Sequence, residues 1–215
     1  MAWRGGFIKP LFTLLLIAIG LGLWARPALA EPRTIVALGD SLTAGFGLPE
    51  ESAFPARLEA FLRARGHDWR VVNAGVSGDT SAGGLARLDW ALADKPDLVI
   101  VELGANDGLR GLPVEQMEEN LSQIIARVES SGSAVLLCGM RVPPNLGPDY
   151  ASAFETVFVS LAAKHDVPFY PFFLDGVGAR SSLNQPDGIH PTAEGIAEIV
   201  RRIGPVVEQA MKAGS

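Results

Sequence analysis

Short, mostly apolar runs alternate with longer amphipathic stretches along the chain from residue 34 onward. Such runs predict buried β-strands, because a strand that is covered on both faces carries few polar side chains. The predicted strands are Thr34–Leu38, Arg70–Asn73, Leu98–Leu103, Val135–Met140 and Pro168–Phe172.

The stretches between these runs place apolar residues three or four positions apart, which is typical of helices with one buried face. The predicted helices are Phe54–Arg65, Ser81–Leu92, Val114–Ser130, Tyr150–His165 and Thr192–Lys212. Pro191 comes just before the last helix, where proline favours a helix start. Gly204-Pro205 falls inside that helix, and we expect a kink or a break there because proline lacks the backbone N–H.

Strands that alternate with helices indicate an α/β fold, in which a parallel sheet is covered by helices on both faces. The chain contains no internal repeat and no linker that would divide this domain. In a doubly wound sheet with the strand order 2-1-3-4-5, the first and third strands are neighbours, and a crevice opens at their carboxyl ends. We therefore expect functional residues on the loops that follow these strands.

The first thirty residues have the organisation of a signal peptide. Arg4 and Lys9 precede an apolar segment, Leu11–Trp24, and Ala28-Leu29-Ala30 provides the small residues of a cleavage site. We expect cleavage after Ala30, one α/β domain over 31–215, and a periplasmic or secreted location. An uncleaved membrane anchor is the alternative, because the apolar segment approaches the length of a short span.

Charge and cysteine content narrow the possible functions. The predicted mature chain holds 15 basic and 24 acidic residues, and this acidic balance argues against nucleic acid or an anionic membrane surface as a partner. Cys138 is the only cysteine, so no disulfide can form within the chain. It lies in an apolar run, and we expect a buried small hydrophobic residue rather than a nucleophile.

Four polar segments fall where the predicted sheet should gather them. They are Gly39-Asp40-Ser41, the loop Asn73–Thr80, Gly104-Ala105-Asn106-Asp107 and Asp187-Gly188-Ile189-His190-Pro191. The first three follow predicted strands, and the fourth precedes the last helix. Each segment alone is also consistent with an ordinary turn or helix cap, but together and in this order they contain the groups that acyl transfer requires.

The roles follow from that chemistry. A serine hydroxyl needs a base to accept its proton, and the base needs an acceptor on its other ring nitrogen, which predicts Ser41, His190 and Asp187 as catalytic residues. A tetrahedral intermediate needs hydrogen-bond donors for its oxyanion. We assign these to the Asn106 amide and to the backbone N–H groups of Gly75 and Ser41. The spacing of histidine, cysteine and acidic residues does not match a metal site.

These segments resemble the sequence blocks of the SGNH, or GDSL, hydrolase family. The matching positions are Ser41 in Gly-Asp-Ser-Leu, Gly75, Asn106 in Gly-Ala-Asn-Asp, and His190 in Asp-Gly-Ile-His-Pro. Residues 77–88 and 101–111 are similar to bacterial periplasmic members described as thioesterases, arylesterases and lysophospholipases. The resemblance implies a flavodoxin-like, three-layer α/β/α fold with five parallel strands, and a Ser-His-Asp mechanism with no metal or other cofactor.

We therefore expect an exported serine esterase that acts on carboxylic esters, thioesters or lysophospholipids as small-molecule substrates. A carbohydrate O-acetyl esterase is the alternative enzyme, and a non-catalytic module that binds a lipid is the alternative outside enzymes. Leu109, Leu112 and Leu146 are candidates for an acyl groove, although they could equally pack the loops onto the domain. The sequence leaves the oligomeric state open, with a monomer as the expectation.

Overall fold

The computed structural model describes residues 1–3 and 32–213. The predicted signal peptide, apart from its first three residues, and the cleavage site after Ala30 lie outside the described residues. Residues 32–213 belong to one compact unit.

A parallel sheet of five strands forms the centre of this unit, in the order β2-β1-β3-β4-β5. The strands are β1 Arg33–Gly39, β2 Trp69–Gly75, β3 Leu98–Glu102, β4 Ala134–Cys138 and β5 Phe169–Tyr170. All five predicted strands are present in the predicted order. β5 is shorter than predicted because Pro171 has no N–H to continue the ladder.

Helices connect the strands. They are α1 Ser41–Ala44, α2 Phe54–Ala64, α3 Ser81–Ala86, α4 Leu88–Ala91, α5 Ala105–Leu109, α6 Val114–Ser130, α7 Pro148–His165 and α8 Ala193–Ala213, with 3-10 turns at Glu50–Ser52 and Pro144–Leu146. The helices form two groups: α2 packs on α8 in the first, and α6 packs on α3 and α7 in the second. The two groups sandwich the sheet, which confirms the three-layer α/β/α prediction.

The middle strand shows why the sequence requires this arrangement. Residues 98–101 of β3 are completely buried, so both of its faces need apolar cover. Burial at about 25 cal/mol per Å² makes this strand a main contribution to the stability of the domain. Cys138, at the end of β4, is 1% exposed, as predicted for a small core residue.

The predicted helix Ser81–Leu92 is two helices, separated at Arg87. The Arg87 guanidinium donates to the carbonyl oxygens of Gly39 (2.8 Å) and Ala74 (2.7 Å), at the carboxyl ends of β1 and β2. The backbone leaves helical geometry at the residue whose side chain makes these contacts.

We predicted a kink or a break at Gly204-Pro205, and the break is wrong because the last helix is continuous from 193 to 213. Pro205 lies on the exposed face of α8. Proline has no N–H to donate to the carbonyl oxygen of Arg201, four residues earlier. That oxygen is on the same exposed face and can bind water instead. Within the described residues, no helix has both the length and the apolar character needed to cross a membrane.

Candidate active site

Ser41 is the first residue of α1, and Asp40 alone separates it from the end of β1. Asp40 caps this short helix, because its Oδ1 accepts the N–H of Leu42 at 2.9 Å. Gly45 ends the helix with φ +82°, a conformation that glycine adopts without strain. The turn is therefore tight, and it presents the Ser41 hydroxyl at the carboxyl edge of the sheet.

His190 and Asp187 lie beside this hydroxyl. His190 Nε2 is 2.8 Å from Ser41 Oγ, and His190 Nδ1 is 2.7 Å from Asp187 Oδ2. The other oxygen of Asp187 accepts the N–H groups of His190 (3.0 Å) and Ile189 (2.9 Å). The N–H and imidazole of His190, followed by the N–H of Ile189, lower the pKa of Asp187 to about 2. The structure thus brings the predicted serine, histidine and aspartate into one hydrogen-bonded chain.

Two residues that the sequence analysis did not select hold the histidine loop in place. The ring of Phe46 packs against the imidazole of His190, with their centroids 4.5 Å apart. Gln185 donates from Nε2 to the carbonyl oxygens of Phe46 (2.8 Å) and Pro191 (3.0 Å). Its N–H donates to the carbonyl oxygen of His190 at 2.7 Å. These contacts join the serine and histidine loops, and no local sequence signal distinguishes them from ordinary loop residues.

Asn106 lies on α5, the short helix that follows β3 at the same edge of the sheet. Its Nδ2 donates to Asp40 Oδ2 at 3.0 Å, so the predicted amide and the aspartate beside Ser41 are in contact. Asp40 is completely buried, and this burial raises its pKa to about 6, although the Leu42 N–H and the Asn106 amide favour the charged form. Asp107, the next residue, anchors α5 by accepting the N–H (2.7 Å) and hydroxyl (2.6 Å) of Ser81.

The structure corrects the prediction for Gly75. Its N–H donates to Asn73 Oδ1 at 3.0 Å and is therefore already occupied. Gly75 ends β2 opposite Gly39, and an added Cβ would lie 2.3 Å from the backbone nitrogen of Ala44. The close approach of these two backbones explains why residue 75 is a glycine. Gly75 does not line the cavity beside Ser41.

Gly78, three residues further along the same loop, does line that cavity. It has φ +85°, its carbonyl oxygen accepts from Arg110 Nη2 at 2.7 Å, and its N–H donates to no residue in the described part of the chain. Gly75 and Gly78 lie within four positions of each other, and the sequence alone does not show which of them donates its N–H to the oxyanion. The choice depends on where β2 ends, which sequence patterns locate only approximately.

Arg87 fixes the loop that carries Gly78. Besides its bonds to the ends of β1 and β2, its Nε donates to Asp79 Oδ2 at 2.6 Å. The N–H of Val76 donates to the carbonyl oxygen of Gly39 at 3.1 Å. The loop is therefore tied to the strand that carries the serine.

Two neighbouring cavities open at this edge. The first, of about 300 Å³, is lined by Asp40, Ser41, Leu42, Phe46, Ser77, Gly78, Ala105, Asn106, Leu109, Ile189 and His190. The second, of about 390 Å³, shares Leu42, Ala105, Leu109 and Ile189 with it and adds Met140, Val142, Phe172 and Leu174 among others. Of the three leucines proposed for an acyl groove, Leu109 lines both cavities, whereas Leu112 and Leu146 line neither.

The other histidines lie elsewhere. His67 Nε2 is 2.9 Å from Glu208 Oε1, and His165 contacts Ser122 and Glu129 between α6 and α7. The His165 side chain is mostly buried between these two helices. Among the described residues, no three histidine, cysteine or acidic side chains converge as metal ligands.

Known proteins that are similar to this chain identify its family. Residues 37–197 match the model of the GDSL-like lipase/acylhydrolase family. The chain is 43% identical over 180 residues to esterase TesA of Pseudomonas aeruginosa, which covers 83% of this chain and 90% of that esterase. It is also 43% identical over 170 residues to thioesterase 1/protease 1/lysophospholipase L1 of Escherichia coli, covering 79% of each chain.

Solved structures show the same relationship. A crystal structure of TesA, 42% identical, superposes with a TM-score of 0.79 over 83% of this chain and 99% of that one. The chain belongs to the GDSL-like lipase/acylhydrolase family. Within that family it is a carboxylic-ester hydrolase of the type formed by its esterase and thioesterase relatives.

Proposed function

We propose that the chain hydrolyses carboxylic esters and thioesters of apolar acyl groups, with Ser41 as the nucleophile. The observation that carries this proposal is the hydrogen-bonded chain from Ser41 Oγ through His190 to Asp187. The imidazole accepts the serine proton while Oγ attacks the acyl carbon, and it then donates that proton to the leaving alcohol or thiol. Water releases the acyl group by the reverse sequence. Asp187 holds one tautomer of His190 and stabilises the imidazolium.

The oxyanion lies between three donors in this proposal. One is the N–H of Ser41, which has no partner inside α1 because it is the first residue of the helix. The second is the N–H of Gly78, in place of the predicted Gly75, and the third is the amide of Asn106. All three residues line the same cavity. Preorganised donors of this kind stabilise negative charge without reorganisation during the reaction.

The acyl chain occupies the second cavity. It begins at Leu42 and Leu109, which also line the cavity of the nucleophile, and continues between Met140, Val142 and Phe172. A volume of about 390 Å³ exceeds what an acetyl group needs. This space favours longer acyl groups over the alternative of a carbohydrate O-acetyl esterase.

Export is part of the proposal. Residues 1–30 act as a signal peptide, cleavage after Ala30 releases the domain 31–215, and the enzyme works in the periplasm or outside the cell. Intact-mass measurement of the exported protein tests this. A mass that still includes residues 1–30 would support the membrane-anchor alternative.

The chemistry is tested with a fluorophosphonate probe and a series of p-nitrophenyl esters of increasing acyl length, with an acyl-CoA thioester alongside. We expect Ser41 to be labelled and Ser41→Ala to remain unlabelled. We also expect kcat/KM to rise from acetyl to medium-chain esters. Labelling at another residue would overturn the assignment of Ser41. A strict preference for acetyl groups would favour the carbohydrate O-acetyl esterase.

A further inference from the structure

Glu102 is a buried carboxyl group that the proposed mechanism does not use. It is the last residue of β3, and only 1% of it is exposed. Its Oε2 accepts the hydroxyl of Thr43 at 2.7 Å, whereas its Oε1 has no hydrogen-bond partner among the described residues. A buried acidic side chain with an orphaned oxygen requires an explanation, because burial of an uncompensated charge is very unfavourable.

The space around this carboxyl group is closed. A Cβ placed on Gly39 would lie 2.1 Å from Thr43 Oγ1 and 2.7 Å from Glu102 Oε2. Gly39 therefore leaves room for these two side chains, which fill the region beneath the turn that carries Ser41. Thr43 is itself completely buried in α1. The contact between Thr43 and Glu102 thus joins the nucleophile helix to the central strand.

A second buried carboxyl group, that of Asp40, belongs to the same turn. Asp40 accepts hydrogen bonds on both oxygens, from the Leu42 N–H and the Asn106 amide, whereas Glu102 accepts the Thr43 hydroxyl on Oε2 only, although the N–H groups of Asp40 and Thr43 also favour its charged form. Two neighbouring carboxyl groups in a dry site do not both ionise, and the one whose two oxygens both accept hydrogen bonds keeps the charge. Burial and the Asp40 charge both raise the pKa of Glu102 well above its usual range.

The other titratable groups near this pair do not change that balance. Burial raises the pKa of the Cys138 thiol, on β4, well above its usual range, so this group stays neutral and adds no charge near the pair. His190 favours the charged form of Asp40, and Asp79 opposes it. The guanidinium of Arg87, which bonds the Gly39 carbonyl oxygen, is paired with Asp79.

We propose that Glu102 is a positioning residue of the reaction that acts as a neutral carboxylic acid beneath the nucleophile turn. Through Thr43 it fixes α1, and with it the orientation of Ser41 toward His190. Its neutrality leaves Asp40 as the single charge that orients the Asn106 amide. It also keeps a second negative charge away from the position where the oxyanion develops. This inference rests on the proposed function of Ser41 and Asn106.

The protonation state can be measured without turnover. In protein labelled with ¹³C at the glutamate side-chain carboxyl, we expect one carboxyl signal to keep the chemical shift of the protonated form at about pH 7, where an ordinary glutamate is ionised. That signal should be absent from Glu102→Gln. If every glutamate signal is that of a carboxylate at this pH, the proposal is overturned, whatever the fate of the proposed function.

The positioning role is measured with two variants. Glu102→Gln keeps the shape, the neutrality and an acceptor for Thr43, so kcat should stay within about threefold of wild type. Glu102→Ala removes the support, and kcat should fall about tenfold or more with KM nearly unchanged, because the loss lies in the transition state. Equal losses in both variants, or a full kcat in Glu102→Ala, would overturn the role.

A third variant covers the case in which Glu102→Ala does not fold. Thr43→Val keeps the side-chain volume and removes the hydroxyl that Glu102 accepts, and it should also lower kcat more than it changes KM. An unchanged kcat in Thr43→Val would overturn the proposal. If the wild-type protein shows the signal of a protonated glutamate but is inactive and is not labelled at Ser41, the result would count against the proposed function alone.

Discussion

Asn106 Nδ2 lies 3.0 Å from Asp40 Oδ2, and this contact determines which end of the amide faces the cavity. An ionised carboxylate only accepts hydrogen bonds, so it selects the NH₂ group of Asn106 over the carbonyl oxygen. One N–H is used by Asp40, and the second stays available beside Ser41. The contact therefore preorganises a donor before any substrate arrives.

Asn106→Ala should consequently lower kcat by about 10²–10³, or roughly 3–4 kcal/mol, while KM changes little. In the proposed mechanism the Asn106 amide acts where negative charge develops and contributes less to the ground state. The melting temperature should be measured on the same preparation. A destabilised variant with a full kcat would show that Asn106 only shapes the turn after β3.

Ser41→Ala and His190→Ala should each reduce kcat/KM by about 10⁴ or more, and the double variant should be little worse than either single one. In the proposed mechanism the two side chains act as one unit, since His190 Nε2, 2.8 Å from Ser41 Oγ, accepts the serine proton. Steady-state kinetics on a p-nitrophenyl ester measures this. Losses that multiply in the double variant would contradict a shared mechanism.

Gly78→Ala tests the correction from Gly75 to Gly78. An alanine at φ +85° is strained, and the strain should displace the N–H of Gly78 and lower kcat about tenfold. Gly132→Ala is the matched control, because Gly132 has φ +87°, lies in the loop before β4 and has open space around its Cβ position. The melting temperature should fall by a similar amount in both variants, whereas kcat should fall only in Gly78→Ala. An equal kcat in the two variants would remove Gly78 from the oxyanion site.

Val142→Asn places a polar group in the larger cavity and should reduce kcat/KM for medium-chain esters about tenfold more than for acetyl esters. Leu146→Asn is the control, because Leu146 is on the neighbouring turn and lines neither cavity. Acyl-length profiles of both variants give the result. A uniform decrease across all lengths in Val142→Asn would mean that the acyl chain lies elsewhere.

Asp187→Asn should lower kcat by about 10³–10⁴, because the amide no longer selects the required tautomer of His190. It should also change the dependence of stability on pH. The folded pKa of Asp187, about 2, is below its unfolded value, so its contribution to the free energy of unfolding is present above about pH 4 and is lost toward pH 2. The stability difference between wild type and Asp187→Asn should therefore shrink over that interval. A constant difference would contradict a charged Asp187 in the folded state.

The parts of the fold that depend on periodicity were predictable. The strands are short apolar runs and the helices are amphipathic, so their order and the three-layer arrangement follow from local patterns. The break expected at Pro205 did not occur, because its consequence depends on whether the freed carbonyl group faces solvent. The division at Arg87 depends on contacts with β1 and β2, which are distant in sequence.

The site was predictable as a set of residue types and only partly as a geometry. Ser41, His190, Asp187 and Asn106 are distinguished by the loops on which they lie, and these loops meet because parallel strands share one carboxyl edge. Gly75 and Gly78 differ in the hydrogen bond made by one N–H, which no sequence pattern reports. Phe46, Gln185 and Glu102 are ordinary residue types whose importance arises only from their neighbours in space.

Ser41 and His190 are 149 positions apart, and the loop that carries His190 leads directly into α8, which packs on α2. The nucleophile therefore has no base until the C-terminal helix has docked. An emerging or partly folded chain holds a complete nucleophile turn and still cannot cleave an ester. Recovery of activity during refolding would accordingly report the docking of the histidine loop on the serine turn, rather than the appearance of the sheet.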